Sequence, residues 1–244
     1  MRRFKLVLAY DGSAFYGFAK QAGLYTVEGT LISALQSLQI QSKILAAGRT
    51  DKGVHAMYQV IAFDACDIWS PSKLLKHLAP KLGYFIACKS IEEVPLSFHP
   101  RFEATKRRYR YFLSLTKPSP FLSRFVGYHP CGDRGILKQA LELFKGMHDF
   151  KFFSKSGSDP NSTIRTIYKA FCYPYTLYNL PCLVLVFEAN SFLRSQVRLM
   201  LGAALACSLK QISLEDLKKQ IALDKRFLVR LVSPAGLYLS SVFY

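Results

Sequence analysis

Acidic side chains are scarce in this sequence of 244 residues: sixteen Asp and Glu stand against thirty-three Lys and Arg, leaving a formal charge of +17. The imbalance says little about fold but a good deal about partners, because it favours polyanions and fast electrostatic capture. Nucleic acid leads that class; charge alone leaves open a basic protein with a solvated surface and an unrelated ligand. Low-complexity tracts are missing, and basic residues are interleaved with aromatic and aliphatic ones, so the charge is not that of a disordered tail. The six cysteines (Cys66, Cys88, Cys131, Cys172, Cys182, Cys207) include no pair two residues apart and no His at zinc-finger spacing, which argues against a structural zinc site. Scattered in this way they read as reduced, mostly core residues of a cytosolic protein. No stretch approaches the ~20 apolar residues of a membrane helix. The apolar run near the start ends at Asp11, too short for a signal peptide, so a soluble cytoplasmic protein is expected. A Gly-rich dinucleotide motif followed by an acidic residue is also missing.

What is present is apolar material: half the residues are hydrophobic, enough for one large core or two modest ones of roughly 120 residues each. The apolar run Phe4 to Tyr10, closed by Asp11-Gly12, predicts a strand. Thr26 caps a predicted helix from Val27 to Leu38, whose stripe is Val27, Leu31, Ala34, Leu35 and Leu38. Strands follow near Lys43 to Ala47 and Ala56 to Phe63, then a helix opened by Ser70-Pro71 and a strand from Tyr84 to Ile91. The second half repeats the order. A strand from Lys106 to Leu115 precedes a helix from Ile136 to Lys145, stopped by Gly146, and strands near Thr166 to Tyr175 and Cys182 to Ala189. Ser191 is expected to cap a long helix to Leu209, Ser213 to Asp216 reads as a capping box, and Leu237 to Phe243 as a last strand. Each half thus reads β-α-β-β-α-β, the split βαβ arrangement of ferredoxin-like domains. The expected organisation is α+β, with residues 1–104 carrying a loop of interest and 105–244 completing a cleft.

That loop is Gly48-Arg49-Thr50-Asp51-Lys52-Gly53-Val54-His55, set between two predicted strands. Its glycines permit tight turning and close approach to a ligand, and Arg49 and Asp51, two apart, share one side of an extended backbone. Spacing alone favours a β-turn with a surface Arg–Asp pair. His55 ends the loop, where a supporting hydrogen bond fits better than acid–base chemistry. Five basic residues fall between Arg101 and Arg110, among them Arg107 and Arg108, and each is either a phosphate contact or a solvated side chain. Arg2, Arg3, Lys218, Lys219, Lys225 and Arg226 add others. Along Arg107-Arg108-Tyr109-Arg110-Tyr111 the tyrosines share one strand face and Arg108 and Arg110 the other, with Tyr111 read as core.

The loop with the strand after it (HAMYQVIAF) resembles the signature of the tRNA pseudouridine synthase A family. Tyr10-Asp11-Gly12-Ser13-x-Phe15-Tyr16-Gly17 is similar to that family's opening strand and turn. Phe98 to Phe102 followed by Ala104 to Tyr111 resembles its central motif, Phe192 with Val197-Arg198 and Gly202 its late helix, and Gly236 to Leu239 its C-terminal strand. These motifs are collinear and span nearly the whole chain.

The resemblance implies isomerisation of uridine to pseudouridine at positions 38, 39 and 40 of the tRNA anticodon stem-loop, with no metal and no organic cofactor. It implies two related α+β domains sharing an extended antiparallel sheet with a central cleft, and a homodimer. Asp51 becomes the nucleophile, Arg198 the cation paired with it, Arg49 the residue that intrudes into the RNA, and Tyr109 the ring that stacks on the flipped uracil. Whether Asp51 attacks C6 of the base or C1′ of the ribose stays open. A free Asp, with a pKa near 4, is ionised at neutral pH and needs no general base. There are departures: Phe18-Ala19 stand where the family has Trp-Gln, Gln196 where it has Met, and its Leu-Pro-x-Asp-Ile segment is unrecognisable near Ala79 to Tyr84. A noncatalytic RNA-binding protein on the same scaffold is the alternative. A nucleic-acid hydrolase would want paired carboxylates or metal ligands.

Overall fold

The computed structural model describes residues 1–155 and 162–244. In chain order its elements are β1 (Arg2–Tyr10), α1 (Val27–Gln36), β2 (Leu45–Ala46), β3 (His55–Ala65), α2 (Pro71–Leu78), β4 (Ile86–Val94), β5 (Lys106–Ser114), β6 (Gly127–Tyr128), α3 (Arg134–Leu143), β7 (Gly146–Asp149), β8 (Ile164–Leu177), β9 (Leu180–Ala189), α4 (Gln196–Ser208), α5 (Leu214–Ile221) and β10 (Leu237–Phe243). The fold is mixed α+β with mostly antiparallel strand pairing, as the sequence pattern predicts. The chain divides into two compact units, Met1–Thr105 with Tyr238–Tyr244, and Lys106–Leu237. Dividing the sequence at residue 104 does not anticipate that the C-terminal strand groups with the first unit.

In the first unit β1 lies between β4 and β3, antiparallel to both. The other edge of β3 is shared. Antiparallel β2 occupies one end (Leu45 opposite Ala62), and parallel β10 the other (Tyr238 opposite His55, Leu239 opposite Ala56). Alternate residues Phe4, Leu6, Leu8 and Tyr10 of β1 are buried, as the period of a half-covered strand requires. The helices supply Val27, Leu31 and Leu35, and Leu74 and Leu78, at helical spacing. Both expected caps are in place: Thr26 accepts from the Gly29 N–H at 3.2 Å and Ser70 from the Lys73 N–H at 3.3 Å, each contributing about 1 kcal/mol. β4 starts at Ile86 rather than Tyr84, because Gly83 turns the chain with φ +68° and Tyr84 is fully exposed.

In the second unit β9 runs antiparallel to both β5 and β8, β7 adds antiparallel to β8, and β6 lies parallel to β5. The β8–β9 hairpin turns through Tyr178-Asn179, both at positive φ (44° and 63°), as a tight two-residue connection on twisted strands demands. α3 buries Leu137, Ala140 and Leu141 and packs against α4. α4 is apolar on nearly every side, the mark of an enclosed helix, and its one charged residue is Arg198. Its start is the main local correction. Ser191 does not cap it; the helix begins at Gln196, after Ser195 turns the chain at φ 60°. The Ser191 N–H donates instead to the Asn190 side chain at 2.8 Å. The capping box of Ser213 and Asp216 is present, while α3 is capped by Asp133, ahead of the predicted start. Of the cysteines only Cys182 and Cys207 are buried; Cys66 is exposed and the others lie between, so "mostly core" overstated their burial. Among the described residues no helix is long and apolar enough to cross a membrane.

Candidate active site

The loop between β2 and β3 is fastened at both ends and in its middle. At its start the Ala47 N–H donates to the Val60 carbonyl at 2.8 Å, and the fully buried Gln59 amide donates to the Gly48 carbonyl at 2.8 Å. In its middle Thr50 is buried: its hydroxyl shares a 2.8 Å hydrogen bond with the Tyr10 hydroxyl, and its carbonyl accepts from the Phe18 N–H at 3.0 Å. Burial pushes the Tyr10 hydroxyl up to about 12, against the pull of its bonds to Thr50 and Gln59, so it stays protonated. A turn follows, in which the Val54 N–H donates to the Asp51 carbonyl at 3.1 Å and Gly53 takes φ +77°. Around the anchored Thr50, Arg49 is exposed and Asp51 half-buried.

The Asp11–Phe18 segment forms the floor. Gly17, at φ +100°, brings its backbone so close to the loop that an added Cβ would sit 3.0 Å from the Thr50 carbonyl oxygen. Gly12 is pressed against the Val54 carbonyl, and its N–H donates to His55 Nδ1 at 3.1 Å. His55 is buried and stacks on Tyr238 of β10 at 4.6 Å. It braces the loop, as expected from its position. The Lys52 ammonium lies 3.8 Å from the Tyr16 ring centroid, covering the exposed face of the turn.

In the second unit Arg198, third residue of α4, donates from Nε to the Val232 carbonyl at 2.8 Å. Its charge reaches Tyr111, whose hydroxyl burial pushes strongly upward while Arg198 opposes the shift. Tyr111 is wholly buried, as predicted, and donates to the Ser233 carbonyl at 3.1 Å. Tyr109, on the same strand, is half-buried with Phe192 edge-on at 5.2 Å. The basic run behaves less uniformly than its charge suggests. Arg101 is exposed. Arg107 is only 8% exposed and donates to the Asn190 carbonyl at 2.7 Å. Arg108 pairs with Glu188, donating from Nε at 2.8 Å, with Lys106 at 3.5 Å. The Nε of Arg110 is buried with no hydrogen-bond partner.

Comparison with known proteins places the chain in a family. A family model described as tRNA pseudouridine synthase matches residues 6–103 and 140–244. The chain belongs to the tRNA pseudouridine synthase family. Curated relatives named tRNA pseudouridine synthase A include those of Helicobacter pylori (strain P12), 42% identical, and Helicobacter hepaticus (strain ATCC 51449 / 3B1), 43% identical, each aligned over 100% of both chains. Among solved structures, a chain titled "Crystal Structure of a Cbf5-Nop10-Gar1 Complex" aligns over 97% of this chain and 48% of its own, at 10% identity and a TM-score of 0.38, too distant to bear on the site. This pseudouridine synthase is an isomerase that converts uridine in tRNA to pseudouridine. A purely RNA-binding role is not favoured.

The synthase accommodates two of its departures from the family pattern, at Phe18 and Gln196. Phe18 is buried, its ring 6.4 Å from Tyr10, so it fills the space beneath the loop while its N–H holds Thr50. Gln196 is buried and accepts from the Leu193 N–H at 2.8 Å, tying down the turn before α4. Sequence reasoning missed Gln59 and Glu188, both buried polar groups in apolar strands. A lone polar residue within an otherwise apolar run was the available signal. Among the described residues no group of three or more His, Cys, Asp or Glu is placed to hold a metal ion.

Proposed function

We propose that this synthase modifies uridines 38, 39 and 40 of the tRNA anticodon stem-loop, with Asp51 as nucleophile, and that it works as a cytoplasmic homodimer. The observation that carries the reading is the loop geometry: a carboxylate half-buried beside an exposed arginine, on a backbone pinned at Gly48, Thr50 and Val54. A nucleophile held this firmly loses little orientational freedom on reaching its target. The carboxylate attacks the nucleotide, the N1–C1′ bond breaks, uracil turns and C5 bonds to C1′; the bond to the carboxylate then breaks to return Asp51, C5 loses its proton to solvent and N1 takes one up. Unstacking the target base costs a few kcal/mol. Arg49, exposed on the loop two residues before Asp51, is assigned to the RNA as the base leaves. From the second unit, Tyr109 is assigned as the ring that stacks on the uracil and Arg198 as the cation that keeps the nucleophile charged. Arg101 and Arg110 are assigned to phosphates, whereas the bonds of Arg107 and Arg108 favour structural roles.

The test is tritium release from tRNA labelled at uridine C5, in wild type and Asp51→Asn. Pseudouridine formation expels that hydrogen, whereas binding does not. Wild type should release it and the variant should bind tRNA without release. Equal release from both would remove Asp51 from the mechanism.

A further inference from the structure

Arg198 does not hold its position alone. The carbonyl that accepts from its Nε belongs to Val232, and the N–H of that same peptide group, carried by Ser233, donates to His129 Nε2 at 3.0 Å. One planar unit therefore links the arginine to an imidazole, because the O and H of a trans peptide point to opposite sides of a rigid plane. The next carbonyl, that of Ser233, accepts from Tyr111 at 3.1 Å. Val232 is fully buried, so water has little access to replace a lost partner.

We propose that His129 is a positioning residue for Arg198: its neutral imidazole anchors the Val232–Ser233 peptide whose carbonyl orients the guanidinium. The proposal rests on the reading that Arg198 acts in the reaction. To accept from Ser233, Nε2 must be unprotonated, leaving the ring proton on Nδ1. The surroundings favour that form. Burial holds the His129 pKa below its ordinary value of 6.5, and the charges of Arg230 and Arg198 act in the same direction. The charges acting on it are those of Arg230, from the segment before Val232, and Arg198, from α4; the Tyr111 hydroxyl bonds the adjacent Ser233 carbonyl. A protonated ring cannot accept, so the peptide plane is released and its carbonyl no longer fixes the arginine. For a His whose pKa is lowered on folding, the contribution is complete above 6.5 and declines as pH falls below 6.5 through the folded value.

The experiment measures single-turnover tritium release against pH for wild type, His129→Gln and His129→Leu, with tRNA affinity and thermal melting in parallel. The Gln side-chain carbonyl accepts from Ser233 at every pH, so His129→Gln should keep most of the neutral-pH rate and lose the acid limb that wild type shows below pH 6.5. His129→Leu should slow the reaction roughly ten- to a hundredfold at pH 7.5 with little change in tRNA affinity. In an Arg198→Ala background it should add no further loss. If His129→Leu leaves rate and profile untouched while Arg198→Ala cripples the enzyme, the positioning role is wrong and the reading of Arg198 stands. Full activity in Arg198→Ala defeats that reading itself, and this proposal with it. Should His129→Leu fail to fold, His129→Gln decides: an acid limb that persists overturns the proposal, and one that vanishes supports it.

Discussion

Replacing Glu188 by Gln should destabilise the second unit without weakening tRNA binding. The carboxylate is 1% exposed, lies on β9 opposite Arg108, and has Lys106 at 3.5 Å. Burial raises its pKa, but the Arg108 hydrogen bond and the charges of Arg108, Lys106 and Lys169 outweigh this and hold it low. Breaking a fully buried pair costs about 3–5 kcal/mol. The Arg108 side chain is 26% and the Lys106 side chain 40% exposed, so solvent screens part of that. About 2 kcal/mol remains after the discount. For a protein of this size that corresponds to a fall in Tm of about 4–8 °C. Glutamine keeps the shape, and what it leaves behind is a cluster of cations without their counter-charge. The deficit should therefore narrow when salt is raised from about 0.05 M to 1 M, because the residual repulsion is screened. Calorimetry at both salt concentrations and a tRNA titration measure the effect. A Tm unchanged by the substitution, or a deficit indifferent to salt, would refute the reasoning. A loss of tRNA affinity beyond that of destabilised protein would show Arg108 to be an RNA contact, not a partner of Glu188.

Gly17→Ala forces a side chain onto a residue at φ +100° with its Cβ 3.0 Å from the Thr50 carbonyl, and should cost about 1–3 kcal/mol in a melt while slowing tritium release more than it weakens tRNA binding. Tyr10→Phe removes the hydroxyl that satisfies buried Thr50, at about 1–3 kcal/mol, and should reduce kcat with Kd for tRNA preserved. Arg3 pairs with Asp64 through Nε–Oδ1 at 2.7 Å and Nη2–Oδ2 at 2.9 Å, and the Arg3 hydrogen bond holds the Asp64 carboxyl below its ordinary value. A depressed carboxylate stabilises above its unfolded pKa and loses that contribution as pH falls through the folded value. The stability gap between wild type and Asp64→Asn, read by urea denaturation, should thus be widest near neutrality and close below pH 3.8.

Elements with local signals were legible in the sequence. Thr26, Ser70-Pro71 and Ser213 to Asp216 each mark a helix start by chemistry confined to a few residues, and each is where the chain begins to coil. Ser191 misled because the same chemistry also serves turns. The α4 start depends on Ser195 at positive φ, which nothing in its neighbours announces. β6 and β7 are two and four residues long, too short for any period to register. The loop around Asp51 was legible through its glycines and its resemblance to a family signature. Its supports, Gln59 beneath Gly48 and Tyr10 beneath Thr50, required three-dimensional register to find. Charge was the least informative signal at single residues. Arg107 and Arg108 look alike from sequence to Arg101, yet the first is buried against Asn190 and the second held by Glu188.

The strand that runs alongside His55 and Ala56 is Leu237–Phe243, more than 180 residues further along the sequence. During synthesis the amino-terminal portion emerges first, yet the stacking of Tyr238 on His55, which braces the loop around Asp51, has to wait until Leu237–Phe243 is made. A ribosome that stalls or terminates early after residue 237 would release a chain holding Asp51 and Arg198 alike but lacking that brace, so truncated products should be poor catalysts however much of the sequence they retain.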